Sequence, residues 1–155
     1  MSEGLLIAII GASAAAILAG LGSAIGVQMG GKASAGVCSE NPDLFGKLLI
    51  LQALPGTQGI YGFIVAIMVM IKLGLFSGNP ATLTVGEGWA YFGACMPIAI
   101  VGLISAIMQA KTAVSAIHMT AKQPDASAKG MTMTAMVETY AILALLASVL
   151  LVLGL

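Results

Sequence analysis

Arginine is absent from this chain, charged residues of any kind make up only 8% of it, and histidine and tryptophan occur once each. So few ionisable groups cannot cover a soluble globule. At 59% hydrophobic residues and a mean hydropathy of +1.07, an ordinary water-facing surface cannot be assembled from 155 residues. Six basic and six acidic residues cancel to zero net charge, which removes the electrostatic footprint that a nucleic-acid partner requires. Cysteine occurs twice, Cys38 in a polar connection and Cys95 in an apolar stretch. That pair fits neither a disulfide framework nor metal-ligand spacing, and both are read as occupants of small-residue positions. With no Gly-rich phosphate loop and no nucleophile motif, nothing supports chemistry on a soluble substrate, and the chain is not expected to be an enzyme by itself.

What the chain has is apolar length. Four segments, residues 5–36, 45–76, 89–121 and 126–155, are separated by polar connections at 37–44, 77–88 and 122–125. Each runs near 30 residues, so as a helix at about 1.5 Å per residue it would span about 45 Å and project beyond a ~30 Å hydrocarbon core. The expected fold class is an all-α membrane protein of four transmembrane helices in two hairpins: residues 1–76, a connection at 77–88, and residues 89–155. The first 20 residues resemble a signal peptide, but they lack a basic start, carry Glu3 and run on into a Gly/Ala-rich helix, so they are expected to be retained. Lys32, Lys47, Lys111, Lys122 and Lys129 flank the first and third connections, while only Lys72 approaches the second. The positive-inside rule therefore puts 37–44 and 122–125 in the cytoplasm and both termini outside. Phe76, Trp89, Tyr91 and Phe92 gather at the other end, as an interfacial belt or as ordinary packing. His118 and Lys72 are read as interfacial.

The hairpins are copies of one another. A shift of 82 positions, without a gap, places Gly11-Ala12 on Gly93-Ala94, Gly20-Leu21 on Gly102-Leu103, Ser23-Ala24-Ile25 on Ser105-Ala106-Ile107, Pro42-Asp43 on Pro124-Asp125, and Lys47 on Lys129. Each repeat holds two helices, so the second enters the membrane in the same direction as the first, unlike the inverted repeats of many secondary transporters. Small residues at Gly20, Gly22, Ala24, Gly26, Gly30 and Gly31, with Gly102, Ser105, Ala106 and Ala110, predict a tightly packed layer of the first and third helices.

Glu138 interrupts the last apolar segment, whereas the other five acids lie at the N-terminus or in the connections. A carboxylate at membrane depth costs roughly 2.5 to 3.5 kcal/mol on insertion scales and marks an ion pathway, a proton relay or a counter-ion. Its repeat partner, at 138 minus 82, is Gly56, so only one half keeps the charge. Leu54, Thr57, Gln58 and Tyr61 share one helical face at i, i+3, i+4, i+7. Gln58 lies 15 residues after Asp43, Glu138 lies 13 after Asp125, and Gln109 lies 16 before Asp125. These depths agree to about one helical turn. Such a set suits a small hard cation: Glu138 supplies charge, while Gln58, Gln109 and Thr57 supply neutral oxygens. Pro55 should bend the helix and loosen nearby carbonyls, that of Leu54 included, for use as ligands. Tyr61 is placed to donate its hydroxyl to Glu138. The bland alternative is a hydrogen-bond network that only glues helices together.

The hairpin duplication, the Gly-rich first helix, the run Leu54-Pro-Gly-Thr-Gln-Gly-Ile-Tyr-Gly-Phe63, Gln109 and the run Met136-Val-Glu-Thr-Tyr-Ala-Ile142 resemble the proteolipid rotor subunit of V-type rotary ATPases, most of all its bacterial sodium-pumping K form. The resemblance covers essentially the whole chain. It implies a ring of identical protomers in a bacterial cell membrane, turning against an arginine-bearing stator subunit, coupled through a central stalk to an ATPase head, and surrounded by lipid. It also implies that Na+ is the transported ion, held by the Leu54 carbonyl, Thr57, Gln58, Gln109 and Glu138, with Tyr61 hydrogen-bonding Glu138. A rotor carrying H+ needs the carboxylate but not the full set of neutral oxygens. A secondary transporter and a purely structural ring- or pore-forming proteolipid are the readings from other classes.

Overall fold

The computed structural model describes residues 2–155, and among these residues there is no strand. The elements are α1 (Glu3–Glu40), a 3-10 turn (Pro42–Leu44), α2 (Phe45–Ala53), a second 3-10 turn (Leu54–Gly56), α3 (Thr57–Lys72), α4 (Val85–Lys122), a third 3-10 turn (Pro124–Ala126) and α5 (Ser127–Gly154). α2, its turn and α3 run on as one rod, so four rods result, Glu3–Glu40, Pro42–Lys72, Val85–Lys122 and Pro124–Gly154, each long and apolar enough to cross a membrane. The protein is an all-α, multi-pass membrane protein.

The sequence repeat is a structural one. Adding 82 carries Glu3–Glu40 onto Val85–Lys122, Pro42–Leu44 onto Pro124–Ala126, Phe45 onto Ser127 and Lys72 onto Gly154. Even the residues before the 3-10 turns agree: Asn41 and Gln123 share φ −139° and ψ 87°.

Local chemistry sets helix ends that differ from the hydropathy boundaries. Ser2 caps α1, its hydroxyl accepting the Leu5 N–H at 3.3 Å, and the helix persists to Glu40, so Cys38 and Glu40 are helical and not in a connection. Thr84 and Glu87 form a reciprocal capping box that starts α4 at Val85, ahead of Trp89, which puts Glu87 in a first helical turn. α3 stops at Lys72 and not near Phe76 because Gly74, at φ 68°, closes a Schellman motif: the Leu75 N–H reaches the Met70 carbonyl and the Gly74 N–H reaches that of Ile71.

α1 packs most extensively on α4, with α2 and α3 flanking α1 and α5 flanking α4. The close approach rests on glycine: a Cβ on Gly22 would lie 2.6 Å from the Leu103 carbonyl oxygen, and one on Gly11 would lie 2.6 Å from Phe92 Cα. Gly20 is an exception to the expected layer, since nothing lies within 4 Å of where its Cβ would be. Pro97 within α4 has no N–H, and beside it the Ile98 N–H turns to the Ser148 hydroxyl at 3.2 Å. At one end Lys47 donates to the Pro124 carbonyl at 3.0 Å and ties the start of α2 to the third 3-10 turn. At the other, Lys72 donates to the Val152 and Leu153 carbonyls at 2.7 and 3.3 Å, capping the orphan acceptors of α5. Trp89 and Phe92 meet edge to face at 5.2 Å, and Phe76 and Trp89 are exposed, but Tyr91 is buried with Leu5, Leu73 and Cys95 and belongs to the core.

Candidate ion site

The site begins with Pro55. Its ring removes a donor and crowds the carbonyl of Leu51, and here the chain passes through the Leu54–Gly56 3-10 turn before α3 restarts at Thr57. The Leu54 carbonyl thereby leaves the α-helical pattern. It accepts the Thr57 N–H and, at 3.0 Å, lies within reach of the Thr57 hydroxyl, whose other neighbour is Gln58 Oε1 at 3.3 Å. The turn thus aims three oxygens, Leu54 O, Thr57 Oγ1 and Gln58 Oε1, at one small region.

Gln58 and Gln109 are both 0% exposed. Gln58 Nε2 donates to Gln109 Oε1 at 2.6 Å, and Gln109 Nε2 donates in turn to the Thr134 carbonyl at 3.2 Å and to Glu138 Oε2 at 3.4 Å. Tyr61 donates to the other carboxylate oxygen, Glu138 Oε1, at 2.5 Å. Leu54, Thr57, Gln58, Tyr61, Gln109 and Glu138 therefore form one connected chain of hydrogen bonds that bridges α3, α4 and α5, with Glu138 half-buried at its outer end. All six residues singled out in the sequence are in it.

Two further groups shape the site. The Thr134 carbonyl holds Gln109 in position; Thr134 lies one turn before Glu138, a spacing that points to a shared face. The Ser23 hydroxyl accepts the Gly59 N–H at 2.7 Å and secures the first turn of α3 to α1. In the sequence Ser23 stands out only as part of the repeat.

Chemically the arrangement offers one carboxylate and four neutral oxygens. All of these donors are oxygens, the ligand type that hard cations prefer. A hard cation that binds oxygens at about 2.3–2.6 Å sets neighbouring octahedral ligands about 3.3–3.7 Å apart. The 3.3 Å between Thr57 Oγ1 and Gln58 Oε1 meets that spacing, and the 3.0 Å between Thr57 Oγ1 and Leu54 O comes within a few tenths. The longest link, from Gln109 Nε2 to Glu138 at 3.4 Å, is the one most readily exchanged for an ion–carboxylate contact.

Comparison with known proteins agrees with the duplicated fold. The family model for the ATP synthase C subunit matches twice, over residues 10–69 and 92–151. The V-type sodium ATPase subunit K of Enterococcus hirae is 45% identical over 97% of this chain and 93% of its own length. The A-type ATP synthase subunit K of Methanocaldococcus jannaschii is 42% identical over 94% of this chain, which spans 63% of that longer protein. The 16 kDa proteolipid of the V-type proton ATPase of Nephrops norvegicus is 27% identical over 75% of this chain and 70% of its own length. With one copy of the family's hairpin in each half of its own structural repeat, the chain belongs to the ATP synthase C subunit family in a tandem, four-helix form.

Proposed function

We propose that this chain is the rotor subunit of a V-type rotary ATPase and that it carries Na+ across the membrane, held by Glu138, Gln109, Gln58, Thr57 and the Leu54 carbonyl, with Tyr61 orienting the carboxylate. The observation that supports this reading best is the convergence of two fully buried glutamines on one half-buried carboxylate. A proton needs only the carboxylate and an acceptor, whereas a hard cation needs the surrounding oxygens as well. The Enterococcus hirae relative, a subunit of a sodium ATPase, supports the same cargo.

The rotor mechanism follows from the charge. Glu138 faces lipid only when a bound cation neutralises it, so the ring of identical protomers turns through the bilayer with loaded sites, and unloaded sites stay at the stator. This chain has no arginine, so the positive group that displaces the ion comes from the stator subunit. The two hairpins, residues 1–76 and 89–155, share a single site. One ion per four helices lowers the number of ions moved per turn, and at about 2.3 kcal/mol per charge per 100 mV a fixed ATP energy then drives each ion up a steeper gradient. That arrangement suits a pump. The ends of the rods at residues 37–44 and 122–125 face the cytoplasm, where the central stalk docks, and both termini face outward.

The test is reaction of Glu138 with a carboxyl-directed carbodiimide in membranes at mildly acidic pH. The reagent attacks the protonated carboxyl, and a bound cation removes that proton, so sodium, and lithium more weakly, should protect. Protection that depends on pH alone and ignores sodium would assign the rotor to protons.

A further inference from the structure

The 82-residue offset gives every face of the first hairpin a counterpart on the second. Where one copy is buried inside the protomer and the other is bare, the bare copy is a seat without its occupant. On α3, Gln58, Val65 and Val69 are buried; their counterparts on α5, Tyr140, Ala147 and Leu151, are exposed, Tyr140 by 67%. On α4, Ala99, Gly102 and Ala106 are buried; their counterparts on α1 are Ile17, which is exposed, Gly20, which faces open space, and Ala24, which is exposed.

A groove of about 240 Å³ runs between α4 and α5, lined by Val101, Ile104, Ser105, Met108, Val137 and Tyr140. Subtracting 82 from each gives Ala19, Gly22, Ser23, Gly26, Pro55 and Gln58, the surface of the first hairpin on which α4 rests. There a Cβ on Gly22 would lie 2.6 Å from the Leu103 carbonyl oxygen, and one on Gly26 would lie 3.0 Å from that of Ala106 and 3.4 Å from Ala110 Cβ. The groove is therefore the second hairpin's copy of a filled seat. Its hydroxyl records the difference: Ser23 accepts the Gly59 N–H, while Ser105 Oγ is buried with no partner.

We infer that this groove seats α1 of the next identical protomer, with that protomer's Leu21, Ala24 and Gln28 in the places of Leu103, Ala106 and Ala110, and that Tyr140 of one protomer hydrogen-bonds Gln28 of the next. The inference rests on the ring reading above. Gln28 lies 15 residues before Asp43 and Tyr140 lies 15 after Asp125, so both sit at the depth of Glu138. Both are exposed in the protomer, and an unpaired polar group at that depth is costly. Tyr140 stands where Gln58 stands in the first hairpin, but the counterpart of Gln109, the partner of Gln58, is Val27, which cannot accept a hydrogen bond. Ile104 and Met108 replace Gly22 and Gly26, so the neighbour's α1 stays further out than α4 lies from α1. A tyrosine spans the wider gap.

The experiment uses the assembled complex in membranes, in a Cys38→Ser/Cys95→Ala background, treated with a short bifunctional maleimide. The pairs Leu21→Cys/Ile104→Cys and Gln28→Cys/Tyr140→Cys should give a ladder from dimer upward on denaturing gels. Each single variant, and the pair Gln28→Cys/Leu150→Cys, whose second residue lies about 15 Å further along α5, should stay monomeric. Glutaraldehyde cross-linking of the unsubstituted chain reports the ring independently. A ring without either ladder overturns the groove assignment and leaves the rotor reading intact; no ring overturns both. For the hydrogen bond, Tyr140→Phe and Gln28→Leu should each lower the temperature at which the ring dissociates in detergent, and the double variant should lose no more than the worse single one. Additive losses overturn the contact.

Discussion

Replacing Gln109 with alanine removes the one side chain that touches three partners: Gln58 Nε2 at 2.6 Å, the Thr134 carbonyl at 3.2 Å and Glu138 at 3.4 Å. Two consequences separate by size. Hydrogen bonds between membrane helices average about 0.6 kcal/mol in double-mutant cycles, so three lost together cost about 2 kcal/mol of bundle stability. The close α1–α4 layer built on Gly22 and Gly11 lies outside that cost and should hold the protomer together. A lost neutral partner to a charged centre is worth about 1.5–3 kcal/mol, or about ten- to a hundredfold in ion affinity. The expected outcome is an intact ring whose ATP hydrolysis needs about ten to a hundred times more sodium for half-maximal rate, with turnover recovered at high sodium. Sodium titration of ATPase activity in the assembled complex, beside a gel assay of ring integrity, measures both. A half-maximal sodium concentration within about twofold of the unsubstituted protein would refute the reasoning: the amides would then be interhelical glue, Glu138 would work alone, and protons would be the cargo.

Glu138→Gln should abolish ion-coupled ATPase activity while the ring still assembles, because the amide is nearly isosteric and only the charge is lost; a variant that still pumps would remove the carboxylate from the mechanism. Thr57→Val should raise the half-maximal sodium concentration by less than about tenfold, since the backbone N–H of residue 57 still holds the Leu54 carbonyl in its turn; an effect as large as that of Gln109→Ala would mean that the hydroxyl is a principal ligand. Gly62→Ala should destabilise the protomer by about 1–3 kcal/mol, because the new Cβ would overlap the Ala15 carbonyl and lie 2.6 Å from Ala19 Cβ. Gly36→Ala, with nothing within 4 Å, should stabilise by about 0.4–1 kcal/mol. Thermal unfolding in detergent followed by circular dichroism compares the two glycines, and equal behaviour would contradict the packing.

The rods and their pairing were readable because lipid leaves little choice: a backbone at membrane depth must satisfy itself, so long apolar runs become helices, and the 82-residue repeat orders them. Their ends were not readable from hydropathy, because the helices outrun the hydrocarbon and stop where local chemistry stops them. Thr84 with Glu87 is a capping box visible in sequence, and Gly74 ends α3 by taking a positive φ, a conformation that hydropathy does not report. Tyr91 was open to two readings, since its burial depends on what α1 and α3 place around it. At the site, helical spacing and depth bring the side chains to one level. The Thr134 carbonyl escaped because every residue has one, and only the fold decides which backbone oxygen a buried amide finds.

The difference between the two hairpins follows from one pair of residues. At the offset of 82, Pro55-Gly56 stands opposite Val137-Glu138. In the second hairpin α5 runs unbroken through this point and presents a carboxylate. In the first, the 3-10 turn at Pro55 separates α2 from α3 within one rod and brings the Leu54 carbonyl, Thr57 and Gln58 together. Restoring a carboxylate at position 56 would place a second charge in a half that no longer has a counterpart of Gln109, because Val27 stands there, nor one of Tyr61, because position 143 is Leu. The charge in one half and the turn in the other are thus complementary features. The second hairpin supplies the charge and the Gln109 amide, and the first supplies the oxygens of Leu54, Thr57 and Gln58, which is why a single site needs both hairpins.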